Sequence, residues 1–172
     1  YKCSNKIIEL LIDNGADVNE RLEEVENITI LYYALEYKSS YQIIELLIER
    51  GAYVNEVEEE DGTPILIYAL QYKSSEKIIE LLIDKGANVN GIDEEGITIL
   101  YYALEYKSSE QIIKLLIEGG PDINAVNEID EASLPILIYA FICGSSDNII
   151  KLLIQKGANV NTLDEEGKTI LM

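Results

Sequence analysis

Histidine and tryptophan are absent from this 172-residue chain, and only two cysteines, three prolines and one methionine are present. Without histidine the chain has no histidine metal site, no Ser-His-Asp or Cys-His triad, and none of the commonest general bases. Cys3 and Cys143 are too few for the disulfide framework of a small secreted protein, so we expect an intracellular location, in the reducing cytoplasm. No apolar run approaches the roughly 18 residues of a membrane-spanning helix, so none is predicted.

Positive charge is also scarce, because 13 lysines and arginines stand against 32 aspartates and glutamates, which gives a net charge of −19. A surface of this sign repels phosphate groups, so we predict that neither nucleic acid nor an anionic membrane is a partner. Apolar residues still make up 48% of the chain, which is enough to build a core despite the charge.

The motifs of catalysis and of ion binding are missing as well. The chain has no P-loop, no G-x-G-x-x-G and no nucleophile elbow, and no loop has the ligand spacing of a calcium site. Carboxylate pairs are plentiful, but they fall in acidic loops and not in a pocket that would separate their pKa values. We therefore predict no enzymatic activity, no cofactor and no metal site.

What the chain does have is a repeat. The tripeptide Leu-Leu-Ile recurs with spacings of 34 to 37 residues, beginning at Leu10, Leu46, Leu81, Leu115 and Leu152. After each copy comes a five-residue string that begins with glycine and ends with asparagine, at Asn19, Asn55, Asn90, Asn124 and Asn161. A period of this length indicates a solenoid whose units cannot bury their apolar faces alone.

The repeat has a constant part and a variable part. Its alanine anchors lie 17 residues before the next repeat glycine in all four copies, whereas the distance from asparagine to alanine ranges from 13 to 16 residues. Insertions concentrate in surface loops, so the constant part is predicted to be helical and the variable part to be a loop. The longest loop, residues 125–134, contains Ile129 and lacks the D-x-x-G turn, so it is either an irregular, partner-specific fingertip or the result of drift.

Each constant part is predicted to hold two helices. A shorter helix runs from about Thr29 to Tyr37, and Ala34 within it allows close approach of a partner helix. The longer helix opens with a capping box from Ser39 to Gln42 and ends before Gly51, a residue suited to the left-handed conformation after a helix. The same layout recurs from Ser75, Ser109 and Ser146.

The pattern resembles the ankyrin repeat. The segment Asp93-Glu94-Glu95-Gly96-Ile97-Thr98-Ile99-Leu100-Tyr101-Tyr102-Ala103-Leu104 is similar to the family's D-x-x-G-x-T-P-L-H-x-A-A, and the Leu-Leu-Ile and Gly-Ala-x-Val-Asn strings are similar to its second helix and turn. The resemblance implies an all-α repeat solenoid, a stack of helix-turn-helix units joined by extended β-hairpin loops. It divides residues 1–172, as a single array, into a half repeat (1–19), full repeats (about 20–55, 56–90, 91–124 and 125–161) and a partial repeat (162–172).

Two departures from the family pattern stand at the start of the first helix. Isoleucine replaces the proline of T-P-L-H, and the histidine becomes Tyr32, Ile67, Tyr101 or Ile138. We therefore expect an altered polar network at this position and an unaltered stack.

The resemblance implies a non-enzymatic scaffold that binds a partner protein or peptide through its hairpin fingertips and its concave first-helix face. An alternative is the targeting or substrate-recognition segment of a larger enzyme or effector whose active domain lies outside this fragment. A structural spacer is a third possibility, because the repeats are nearly identical in places.

Three sets of residues are candidates for partner contact. Tyrosines near the end of the first helix, with Cys143 in the same position of the last full repeat, either line the groove or cover the seam between repeats: Tyr37, Tyr72 and Tyr106. Acidic fingertip residues either recruit a basic partner or only keep the array soluble: Glu59, Glu60, Glu94 and Glu95. The longest loop adds Ile129 and Asp130.

Two further expectations concern apolar and aromatic side chains. Another tyrosine register is predicted to be core, packed between repeats: Tyr33, Tyr68, Tyr102 and Tyr139. The terminal half repeats lack polar caps, so end-to-end self-association is predicted through Ile7, Ile8 and Leu11 at one end and Ile170 and Leu171 at the other.

Overall fold

The computed structural model describes residues 5–22, 28–55, 62–129, 132–163 and 169. Within these ranges the chain consists of helix pairs joined by short antiparallel hairpins, so the all-α repeat fold expected from the sequence is confirmed. It forms two compact units, residues 1–88 and 89–172. None of the helices in the described ranges is long and apolar enough to cross a membrane.

In its described residues, the first unit contains one helix, a hairpin and two helix pairs. Its elements are α1 (Asn5–Asp13), β1 (Arg21–Leu22), β2 (Ile28–Thr29), α2 (Ile30–Glu36), α3 (Tyr41–Glu49), α4 (Ile65–Gln71) and α5 (Glu76–Asp84). Strand β1 pairs with β2 in antiparallel register, with Arg21 opposite Thr29. Helix α2 packs on its partner α3 and on α4 of the following repeat, and α3 packs between α1 and α5.

The second unit contains two helix pairs and the longest hairpin in the described ranges. Its elements are α6 (Ile99–Glu105), α7 (Glu110–Glu118), β3 (Val126–Ile129), β4 (Ala132–Pro135), α8 (Ile136–Ile142) and α9 (Asp147–Gln155). Helix α6 packs on α7 and on α8, and α9 packs on α7 and on α8. The first-helix and second-helix layers therefore each continue from one repeat to the next within the unit.

Serine side chains stand at the start of the second helices. Ser75, Ser109 and Ser146 are N-caps, and the last two accept a hydrogen bond from the backbone N–H three residues later. At α3, however, the N-cap is Ser40 and not Ser39, so the predicted capping box is wrong. Because α3 begins at Tyr41, Gln42 is the second residue of the helix. In a capping box the Glu or Gln side chain bonds the N-cap N–H from the third residue, so Gln42 lies one position too early.

Both helices of a repeat end with a residue in the left-handed conformation. Gly51 follows α3 with φ of +93°, and the N–H of Ala52 bonds the carbonyl of Leu47 over 2.9 Å, as predicted for a glycine that closes a helix. Helix α2 ends in the same geometry, but the left-handed residue is Lys38. Its counterparts are Lys73, Lys107 and, after α8, Gly144.

Within each unit, the core lies between the helices of each pair and between neighbouring pairs. Its largest fully buried side chains are aliphatic, among them Leu31, Ile44, Leu66, Leu82, Leu104 and Leu116. The prediction that Tyr33, Tyr68, Tyr102 and Tyr139 are core residues is wrong, because all four are only half-buried. Among the described residues, the buried aromatic side chains are Tyr32 and Tyr101. They stand at the family's histidine position, on the face of the first helix that meets the next repeat.

The repeat asparagines join neighbouring repeats within each unit. The amide of Asn55 donates to the carbonyl of Gly86 over 2.7 Å and accepts from the N–H of Asn88 over 2.6 Å. Asn124 forms the equivalent pair with Gly157 and Asn159. One side chain thus satisfies two backbone groups of the next turn and holds the repeats in register.

Apolar side chains of α1 are exposed. Ile7 and Leu11 are about half accessible to solvent, and Ile8 is partly buried. Ile170 and Leu171 lie outside the described residues. End-to-end association through these side chains remains a prediction.

Candidate partner-binding surface

Each of the three candidate tyrosines caps the C-terminal end of a first helix and lies against a second tyrosine one helical turn earlier. Tyr37 stacks on Tyr33, with ring centroids 4.3 Å apart and planes inclined by 27°, and its side chain is 63% exposed. A spacing of four residues places both rings on one face of the helix, so the first ring supports the second.

The pairing recurs in the next two repeats. The ring centroids of Tyr68 and Tyr72 are 5.7 Å apart, and those of Tyr102 and Tyr106 are 5.8 Å apart. Tyr72 and Tyr106 are half-buried, and burial together with the nearby charge of Glu105 raises the pKa of Tyr106. These side chains therefore pack against the protein and also present a surface to solvent.

The fourth copy of this position is different. Cys143 is a half-buried free thiol, and burial is the main cause that raises its pKa. The residue before it is Ile142, which is 66% exposed where Glu36, Gln71 and Glu105 stand in the other repeats.

A hydrogen bond fastens an acidic hairpin tip to a first helix. The carboxylate of Asp93 accepts from the N–H groups of Glu95 and Ile97, over 3.1 and 2.8 Å, which forms the turn. Its other oxygen accepts from the hydroxyl of Tyr102 over 2.6 Å, and burial together with this bond raises the pKa of Tyr102 well above its ordinary value. The exposed carboxylates of Glu94 and Glu95 are thereby held near the tyrosine pair of α6.

This contact was missed in the sequence, although a signal for it exists. The aspartate of a D-x-x-G turn stands nine residues before the tyrosine, and the turn reverses the chain so that the two side chains meet. The sequence did not single out Asp93 as the residue that bonds Tyr102, because the loops carry several similar carboxylates.

Tyrosine takes the place of histidine at the start of the first helix. The hydroxyl of Tyr32 donates to the carbonyl of Thr63 in the next repeat over 2.9 Å, and its ring meets Tyr68 edge-on at 4.9 Å. In the second unit the ring of Tyr101 stacks on Tyr139 at 3.6 Å. The altered network expected at this position therefore links one repeat to the next in each unit.

The loop expected to be irregular forms a regular hairpin. Strands β3 and β4 pair over four positions, from Val126 opposite Pro135 to Ile129 opposite Ala132. The other hairpin pairings in the described ranges contain one or two such positions. Inserted residues have therefore lengthened the ladder.

A family model described as ankyrin repeats, in three copies, matches residues 42–127, which is half of the chain. The chain belongs to the ankyrin-repeat family. Ankyrin repeats are generally protein–protein interaction modules, and the family is generally a non-catalytic scaffold. No protein of curated function matches this chain.

The ankyrin fold distributes the predicted contact residues over several elements. Tyr37 and Tyr72 stand at the ends of adjacent first helices in the first unit, whereas Tyr106, Glu94 and Glu95 belong to the second unit. Ile129 is the last residue of β3. Glu59, Glu60 and Asp130 lie outside the described residues. No group of three or more acidic or cysteine side chains in the described ranges is placed to hold a metal ion.

Proposed function

We propose that this ankyrin-repeat chain binds a basic partner protein through the tyrosine pairs of its first helices and through its acidic hairpin tips. The observation that carries the proposal is the recurrence of a supported, partly exposed tyrosine at the same helix position in three successive repeats. The proposed contact residues are Tyr37, Tyr72, Tyr106, Glu94 and Glu95, with Glu59, Glu60, Ile129 and Asp130 added from the sequence.

The stacked geometry favours binding for an entropic reason. Fixing a mobile side chain at an interface costs on the order of 1 kcal/mol, and a ring already held by its neighbour incurs less of that cost. Tyrosine also combines a large apolar ring with a hydroxyl that bonds to either donors or acceptors, which is why it is enriched among the residues that dominate interface energies.

The charge favours a basic partner. Glu94 and Glu95 are exposed at a tip that Asp93 and Tyr102 fix in place, and the whole chain carries a net charge of −19. Complementary charge chiefly raises the association rate and selects among partners, and both effects weaken as salt screens the charges.

The test begins with a pull-down from the native cell, repeated at about 50 and 500 mM salt, and continues with alanine variants of the purified chain. We expect Y37A, Y72A and Y106A each to weaken binding of the recovered partner at least tenfold, and high salt to slow its association. Tyr53 is the matched control, because it is 60% exposed but follows a second helix. Equal affinity of all four variants and the parent chain would contradict the tyrosine surface, and a salt-independent association rate would contradict a basic partner.

A further inference from the structure

The hairpin β3–β4 extends further than the other two hairpins of its unit. The pair Val126–Pro135 is equivalent to Ile92–Thr98 and to Leu163–Thr169, because each first residue lies two positions after the repeat asparagine. In the shorter Ile92 hairpin, one more backbone hydrogen bond, from Asp93 to Ile97, precedes the turn. The equivalent pair in hairpin β3–β4 is Asn127–Leu134, and this hairpin continues for two more pairs beyond it. At about 3.3 Å per residue, the extension is roughly 7 Å.

The register determines which backbone groups point away from the ladder. In an antiparallel pair, positions that exchange hydrogen bonds alternate with positions that do not. Pro135 has no N–H, so it fits a position that exchanges none, and the alternation assigns the bonds to Asn127–Leu134 and Ile129–Ala132. The N–H and C=O groups of Val126 and Glu128 in β3 therefore point outward, as do those of Ser133 in β4.

The two edges of this hairpin are not equivalent. The β4 edge ends in Pro135, which offers no donor, whereas β3 has neither a proline nor a lysine of the kind that normally protects an edge strand. Within the described residues this sheet has only its two strands. Glu128 lies in the part that extends beyond the shorter hairpins, so its N–H and C=O are open to an added strand.

We propose that the outer edge of β3 binds an extended basic peptide segment of the partner protein, which adds to the hairpin as a third strand. This inference rests on the proposed function and names the conformation and chemistry of what binds at this fingertip. Backbone bonds to Val126 and Glu128 set the register of the added strand, and pairing of this type needs no particular side-chain sequence. The basic character follows from Glu128 in the strand and from the exposed Glu94 and Glu95 at the preceding tip.

The test uses matched proline variants on the two edges. E128P removes an outward N–H from β3, and S133P removes one from β4 at the same ladder pair. Both substitutions fall at a position that exchanges no bonds within the hairpin, so equal circular dichroism and unfolding temperature are expected for the two variants. E128Q keeps the N–H and removes only the charge.

The probe is a phage-displayed library of random twelve-residue peptides, selected on the full chain, with the selected peptides measured on each variant. We expect lysine- and arginine-rich peptides whose affinity falls at least tenfold on E128P, less than twofold on S133P, and by an intermediate factor on E128Q. Bound peptide is expected to slow hydrogen exchange at the amides of residues 126 and 128. If E128P misfolds, hydrogen exchange at these two amides of the parent chain, with and without peptide, still tests the inference.

Three outcomes overturn the inference. They are equal affinity for E128P and the parent chain, unchanged exchange at residues 126 and 128, and the absence of any selected peptide. Peptides or partners that bind E128P normally but lose affinity on Y37A or Y106A would overturn strand addition and leave the proposed function standing. Failure of the native pull-down, by contrast, concerns the proposed function alone.

Discussion

The hydroxyl of Tyr102 donates a hydrogen bond to the carboxylate of Asp93 over 2.6 Å, and in doing so it joins the hairpin before α6 to the helix itself. The same carboxylate accepts two backbone N–H groups of the turn. One aspartate therefore fixes both the shape of the acidic tip and its position beside the Tyr102–Tyr106 pair. A binding surface whose parts are already fixed loses less conformational entropy on association.

The first prediction concerns this bond. Y102F keeps the ring but removes one of three donors from the partly buried carboxylate of Asp93, so we expect the free energy of unfolding to fall by about 1–2 kcal/mol. Urea unfolding at pH 7 measures the change, and faster hydrogen exchange at the Glu95 and Ile97 amides would locate it in the turn. Y106F, which removes the hydroxyl of the stacked ring, is the control, and we expect a change within about 0.5 kcal/mol. Equal effects of the two variants would show that the bond to Asp93 contributes nothing to stability.

A second prediction follows from Glu110, the first residue of α7. Its carboxylate accepts from the ammonium of Lys114 and the hydroxyl of Ser146, each over 2.7 Å, and from the amide of Asn148 over 3.1 Å. These three donors favour the charged form and lower the pKa of Glu110 to about 2. The network also joins the start of α7 to the start of α9.

The sign of the pH effect is set by that shift. Because the pKa is lower in the folded state, the stabilisation is fully present above the unfolded value of about 4.3 and is lost as the pH falls toward about 2. We expect E110Q to be less stable than the parent chain at pH 6, and the difference between their urea midpoints to vanish between about pH 5 and 2. E76Q, at the first residue of α5, is the control. A midpoint difference for E110Q that stays constant down to pH 2.5 would count against the network.

The third prediction uses the residues that follow the first helices. Lys107 has φ of +53°, whereas its counterpart Gly144 has φ of +72° and open space where a Cβ would lie. The left-handed conformation costs a side-chain-bearing residue about 1–2 kcal/mol, and glycine recovers part of this while adding about 0.5–1 kcal/mol of unfolded-state entropy.

We therefore expect K107G to raise the free energy of unfolding by about 0.5 kcal/mol and G144A to lower it by about 1 kcal/mol. Thermal and urea unfolding of the two variants measure the change. Each variant is the control for the other, because the two reciprocal substitutions are expected to change the free energy of unfolding in opposite directions. Destabilisation by K107G would mean that the lysine side chain contributes more, for example through its charge at the helix C-terminus, than its backbone costs.

Much of the fold was predictable because its signals are local. Gly51 and the serines before the second helices mark helix ends through backbone conformation and through hydrogen bonds within one turn. The repeat spacing revealed the family, since elements that pack on neighbours cannot change length. The capping box at Ser39 was wrong because two adjacent serines are equally suitable caps, and the choice between them depends on where the helix begins.

The tyrosines show where local signals end. Residues 28–40 and 97–109 have identical sequences, yet Tyr32 donates to a carbonyl of the next repeat and meets Tyr68 edge-on, while Tyr101 lies flat against Tyr139. The next residues, Tyr33 and Tyr102, were predicted to be core, but both are half-buried. Which contact the buried ring makes depends on the neighbouring repeat, and the periodicity of a single helix does not contain that information.

The sequence by itself determined the repeat, the helix pairs and the excess of negative charge, because periodicity, capping residues and composition act within a few turns of chain. Only the tertiary structure decided that Asp93 bonds Tyr102, that Glu110 accepts hydrogen bonds from side chains at the start of α9, and that the longest loop is a four-pair ladder with an open edge. These features join residues of different elements or depend on register, and the energies that select among such partners arise only once the elements have packed.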